Sequence, residues 1–105
     1  MKRIGFQFKV RKDKLDEYRE QHKHVWPEML DALRRAGWHN YSLFLRDDGL
    51  IFGYFETEES LAAAQAKMAA TDVNARWQEF MSPFTDSNAR PDETFVELQE
   101  YFHLE

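Results

Sequence analysis

Residues 39–56 read HNYSLFLRDDGLIFGYFE, two apolar-rich runs on either side of Asp47-Asp48-Gly49. In the first run Tyr41, Leu43 and Leu45 alternate with Ser42 and Phe44, the period-2 pattern of a strand. Asp-Gly is a strong hairpin signal, and Gly49 is free to take a positive φ. The returning run, residues 50–56, carries Ile51, Phe52, Tyr54 and Phe55 and is apolar on both sides, as expected of a strand covered on both faces. A β-hairpin therefore sits at the centre of the chain, and the rest must pack around it.

Upstream, residues 3–10 alternate again, with Ile4, Phe6, Phe8 and Val10 against Gly5, Gln7 and Lys9. Between this strand and the hairpin lies an amphipathic stretch containing YREQHKHVWPEM, residues 18–29. Tyr18, His22 and Trp26 are each four residues apart and share one helical face. Leu15, Val25, Met29 and Leu33 extend that face, while Asp16, Glu17, Glu20 and Lys23 point elsewhere. Pro27 cannot donate a helical hydrogen bond and pushes Trp26 out of helical geometry. The helix should thus break near residues 23–26, with Pro27 opening a second segment that ends before Gly37.

Downstream, Thr57 or Ser60 can cap an alanine-rich helix over residues 60–70. Thr71-Asp72 interrupts it and caps a further segment, residues 73–81, with Trp77 and Phe80 or Met81 facing the core. Residues 82–93 hold Pro83, Asp86, Ser87, Asn88 and Pro91 and read as one long loop, the kind that often serves as a lid. Residues 95–102 alternate as a last strand. The order strand, helix, strand, strand, helix, strand is the α+β, ferredoxin-like βαββαβ arrangement: a four-stranded antiparallel sheet with helices on one face. The other face also carries aromatics, and a second copy is the simplest cover for it.

Composition narrows the function. The 105 residues form one domain, residues 1–105, with no cysteine and so no disulfide, thiolate metal site or cysteine nucleophile. The opening MKRIGFQFKV alternates and carries charge, unlike a signal peptide or membrane span, so a cytoplasmic protein with no membrane partner is expected. A net charge of −5, with basic residues scattered, argues against nucleic acid. An aromatic content of 15% is high and points to an aromatic-lined pocket, a large subunit interface, or both.

His22 and His24 are two apart and point in different directions on a helix, while His39 and His103 are isolated in sequence; no metal site is expected. No nucleophile elbow or phosphate cradle is present. Acid–base chemistry by His22 remains, or ligand binding without chemistry. A phenol, an imidazole and an indole on one face suit a small polyhydroxylated ligand, with rings against its apolar face and polar tips on its oxygens. Spacing alone does not separate this from a histidine that is simply packed and satisfied.

The runs Tyr18…His22…Trp26-Pro27-Glu28, His39-Asn40-Tyr41, Thr71-Asp72-Val73…Arg76-Trp77 and Glu97-Leu98-Gln99-Glu100…Phe102-His103-Leu104 follow one another over nearly the whole chain. In that order and spacing they resemble the L-rhamnose mutarotase family. The resemblance implies a homodimeric ferredoxin-like protein closing into a dimeric α/β barrel. It further implies an isomerase that interconverts the α and β anomers of L-rhamnose, or a related 6-deoxy sugar, without metal or organic cofactor. By resemblance His22 falls on the proton donor, Tyr18 and Tyr41 on sugar-binding tyrosines, and Trp77 on the first of two adjacent tryptophans. The second is Gln78 here, and the loop reads PFTDSNARPDE; both departures bear on which sugar is taken. Trp26 is a further candidate for the sugar's apolar face, and Glu28 for orienting a nitrogen-bearing side chain. The alternatives are a small cofactor-independent or haem-degrading monooxygenase of the same fold, and a non-catalytic sugar-binding module.

Overall fold

The hairpin forms as read in the computed structural model, which describes residues 1–85 and 90–105. β1 is Lys2–Lys9, β2 His39–Leu45, β3 Leu50–Thr57 and β4 Val96–Leu98. They lie in the order β2-β3-β1-β4, every pair antiparallel, which is the ferredoxin-like order. The turn closes through Gly49 N to Arg46 O and Arg46 N to Leu50 O, at 2.9 and 2.8 Å. Gly49 has a φ of 92°, and a Cβ there would collide with the Val10 carbonyl, so the turn admits only glycine.

Each expected helix arrives as two segments, for reasons readable in the chain. The first pair is α1 (Leu15–Gln21) and α2 (Pro27–Arg35); Trp26 between them is extended, at φ −59° and ψ 135°, as a residue before proline must be. The second pair is α3 (Leu61–Ala69) and α4 (Asp72–Met81). Ser60 Oγ accepts from Ala63 N at 3.0 Å and Thr71 Oγ1 from Asn74 N at 3.3 Å, so each segment has its own hydroxyl cap. Thr57 stays in β3 and is buried there.

The helix layer covers one face of the sheet. Ile4, Phe6 and Phe8 of β1 and Ile51 and Phe55 of β3 form a core with Met29, Ala32, Leu61, Ala64, Met68, Trp77 and Met81. Phe6 is fully buried, with its ring lying directly over Gly53, where a Cβ would overlap it. Met81, not Phe80, is the α4 residue turned inward.

Three expectations change. The last strand is only three residues long, Val96–Leu98. On the same register Arg3 falls opposite Glu100, two positions beyond the Gly5–Leu98 pair, and the two meet through side chains, Arg3 Nε and Nη2 reaching Glu100 Oε2 and Oε1 at 2.7 and 3.0 Å. Tyr101, Phe102 and Leu104 beyond it are exposed. Residues 82–93 are not one featureless loop, since Ser82–Phe84 and Pro91–Glu93 are 3-10 turns; Asp86, Ser87 and Asn88 lie outside the described residues. Finally, β3 is covered on one face only. On the other, Phe44 and Phe52 are 59% and 40% exposed. Among the described residues no helix is long and apolar enough to cross a membrane.

Candidate active site

Between the helix layer and the sheet opens a cavity of about 350 Å³, within the usual size range of small-ligand sites. Tyr18, His22, Tyr41, Trp77 and Gln78 all line it, so three separated stretches of sequence meet there.

The end of α1 sets the first wall. Tyr18 sits in its last turn, and the helix stops at Gln21, leaving His22 as the C-cap. The His22 ring lies 4.3 Å from the Tyr18 ring, centroid to centroid, and edge-on to Trp77 at 5.7 Å and 83°. Its Nδ1 is 3.0 Å from the Tyr18 carbonyl oxygen. A carbonyl only accepts, so Nδ1 carries the hydrogen and the neutral ring offers Nε2 as a lone-pair acceptor. Burial lowers the His22 pKa below its ordinary 6.5, opposed more weakly by that hydrogen bond. At neutral pH the imidazole is therefore a base. The two phenols shift the other way. Burial pushes Tyr18 well above the usual phenol range, and burial with the nearby Tyr18 phenol does the same to Tyr41. Both keep their protons and act as hydrogen-bond donors.

α4 supplies the second wall. Trp77 is buried, with Trp26 edge-on behind it at 5.0 Å and 87°. Trp26 is not part of the cavity lining; it braces Trp77 and packs on Phe80 at 5.6 Å. The residue expected on the sugar's apolar face thus supports that surface from outside the cavity. Glu28 does orient a nitrogen-bearing side chain, but it is Arg76, whose Nη2 is 3.2 Å from Glu28 Oε2 on the exposed surface.

The third wall is polar, and of its members the sequence reading singled out Gln78. Gln78 Nε2 donates to Asn74 Oδ1 at 3.1 Å and Gln78 Oε1 accepts from Asp92 N at 3.1 Å. Asn74 Nδ2 closes the ring to Asp92 Oδ2 at 3.1 Å. Asn74, fully buried, and Asp92 both line the cavity. The i, i+4 spacing of Asn74 and Gln78 was available as a clue; nothing local marks Asp92, which joins from 14 residues away. His24 is paired with Glu20 at 3.5 Å at the surface, away from His22. Among the described residues, no three His, Asp or Glu side chains converge as metal ligands would.

The sequence profile of the family described as L-rhamnose mutarotase matches residues 3–104. The chain belongs to the L-rhamnose mutarotase family. An L-rhamnose mutarotase of Oceanobacillus iheyensis is 41% identical over 106 residues, covering 100% of both chains. One of Bacillus subtilis is 38% identical over the same extent, again covering 100% of both. Among solved structures, that of L-rhamnose mutarotase from Formosa agariphila has a TM-score of 0.79 at 27% identity and covers 100% of each chain. Members of this family are isomerases, and the monooxygenase alternative is not favoured.

Proposed function

We propose that this chain interconverts the α and β pyranose anomers of L-rhamnose or a closely related 6-deoxy sugar, with His22 moving the proton. The observation that carries the reading is the half-buried His22, its Nδ1 held 3.0 Å from the Tyr18 carbonyl oxygen, in a cavity it shares with Tyr18, Tyr41 and Trp77. Anomer exchange requires the pyranose to open. Nε2 takes the proton of the anomeric hydroxyl, the C1–O1 bond becomes a carbonyl, and the bond from C1 to the ring oxygen breaks. The imidazolium then gives its proton to that ring oxygen. Both oxygens sit on the same carbon, so one nitrogen serves both. The open-chain aldehyde turns about C1–C2 and recloses on its other face by the reverse steps.

Tyr18 and Tyr41, held protonated, donate hydrogen bonds to sugar oxygens. Trp77 and Met29 meet the apolar ring face and the C6 methyl, while the polar wall of Asn74, Gln78 and Asp92 faces the hydroxyls. General acid–base catalysis of this kind contributes roughly 10²–10⁴ in rate, enough for a reaction that already proceeds slowly in water.

The working unit in this proposal is a homodimer joined through the outer sheet face. Phe44 and Phe52 lie 6.2 Å apart there, and exposed Val96 adds to an apolar surface that a second copy would cover.

Saturation-transfer NMR on equilibrated L-rhamnose tests the activity. Irradiating one anomeric proton should carry saturation to the other with the protein present, and much less with His22→Ala. No transfer with L-rhamnose or with other 6-deoxy sugars would overturn the reading.

A further inference from the structure

Tyr41 reaches the cavity only because the strand carrying it is irregular. His39 is paired with Glu56, yet Ser42 is paired with Tyr54, so three steps along β2 match two along β3. A regular ladder continued from the His39–Glu56 pair would put Tyr41 opposite Tyr54, on the outer face of the sheet. Instead one extra residue is inserted, and Tyr41 turns inward with Leu43 and Leu45. Trp38 shows the same change of parity. It lies three positions before Tyr41, an odd spacing, yet both rings are on the helix side with centroids 5.0 Å apart. Trp38 is also tied there, its Nε1 donating to Ala64 O at 3.2 Å.

Asn40 takes up the extra residue. Its φ is 50°, and among the described residues no other non-glycine residue has a positive φ. Asparagine tolerates this left-handed region, whereas a β-branched residue does not. The side chain is used as well: Asn40 Nδ2 donates to Glu56 Oε2 at 3.3 Å, and the same oxygen accepts from Tyr54 Oη at 2.7 Å. Bulges of this kind re-aim a neighbouring side chain. Here the neighbour is the phenol that lines the cavity together with Tyr18.

We propose that Asn40 is a positioning residue, whose left-handed backbone turns the Tyr41 phenol into the sugar cavity. What Tyr41 does there rests on the mutarotase reading; where it points does not. The role is carried by the backbone conformation, so glycine should replace asparagine and valine should not.

The test compares Asn40→Gly and Asn40→Val by anomer exchange at saturating L-rhamnose, together with ¹H–¹³C spectra of tyrosine-labelled protein. Tyr41 lies among Phe6, Trp38 and Phe55, at 6.3, 5.0 and 6.0 Å, so its ring signals report its position directly. Asn40→Gly should keep the Tyr41 signals and stay within about threefold of the wild-type rate, since glycine enters the left-handed region freely. Asn40→Val should shift those signals and lose about 10- to 100-fold in rate, the effect of a misplaced catalytic contact. Wild-type exchange and unshifted Tyr41 signals in Asn40→Val would overturn the proposal, as would an equal loss in both variants. Should the valine variant not fold, Asn40→Ala takes its place against glycine, and equal rates and spectra for that pair would overturn it. If the wild type itself exchanges no anomers, the mutarotase reading fails while the tyrosine spectra still decide the positioning.

Discussion

Replacing His22 by glutamine separates its chemical role from its packing. A glutamine amide can still donate to the Tyr18 carbonyl, which now accepts from Nδ1 at 3.0 Å, but it cannot take up and return a proton. The stability loss is bounded by what the ring touches. It faces Tyr18 at 4.3 Å and Trp77 at 5.7 Å. With that hydrogen bond kept and ring pairs contributing about 0.5–1.5 kcal/mol each, a loss of about 1–3 kcal/mol is expected. For a domain of this size each kcal/mol lowers Tm by about 4–8 °C, which leaves a folded variant to assay. Anomer exchange should nevertheless fall by about 10²–10⁴, or about 3–5 kcal/mol in the barrier.

The wild-type pH profile belongs to the same argument. Burial lowers the His22 pKa, so the active base is present at neutral pH and is lost only as pH falls through a value below 6.5, with the rate then dropping about tenfold per unit. Stability has the same sign. Between the folded value and 6.5 the unfolded chain binds the His22 proton more tightly than the folded one, so this contribution is present above 6.5 and lost as pH falls through that window. Saturation-transfer NMR across this range measures the rate, and thermal melting the stability. A His22→Gln variant that exchanges anomers at the wild-type rate would refute the reasoning, as would a profile that stays flat below pH 6.5.

Other consequences are open to measurement. Gly53→Ala should destabilise the fold by about 1–3 kcal/mol, because its Cβ meets the ring of fully buried Phe6; an unchanged melting temperature would show that the ring can move aside. Gln78→Leu leaves Asn74 Oδ1 and Asp92 N without partners and should lower Tm and raise the KM for sugar. Gln78→Glu, which keeps the acceptor for Asp92 N, should fall between wild type and leucine, and a leucine variant as stable as wild type would remove the polar wall from the account. Phe52→Glu should convert a dimer into monomers of 12.6 kDa in sedimentation, and a wild type that already sediments at that mass would refute the dimer.

What the chain by itself determined is everything written in short-range terms. The hairpin at Asp48-Gly49, the break before Pro27, the caps at Ser60 and Thr71, and the resulting order of elements each follow from a few adjacent residues acting on their own backbone. The shared face of Tyr18 and His22 was legible for the same reason, since helical periodicity carries across one turn. The tertiary structure decided what depends on two distant segments meeting. It placed Trp26 behind Trp77 rather than in the cavity, and it limited β4 to three residues paired with β1. It also closed Asn74, Gln78 and Asp92 into one polar wall. Alternation alone put Tyr41 with Leu43 and Leu45, but which face of the sheet they take is set by pairing with β3. There the bulge at Asn40 changes the parity, and no period along the chain records where a neighbouring strand will demand an extra residue.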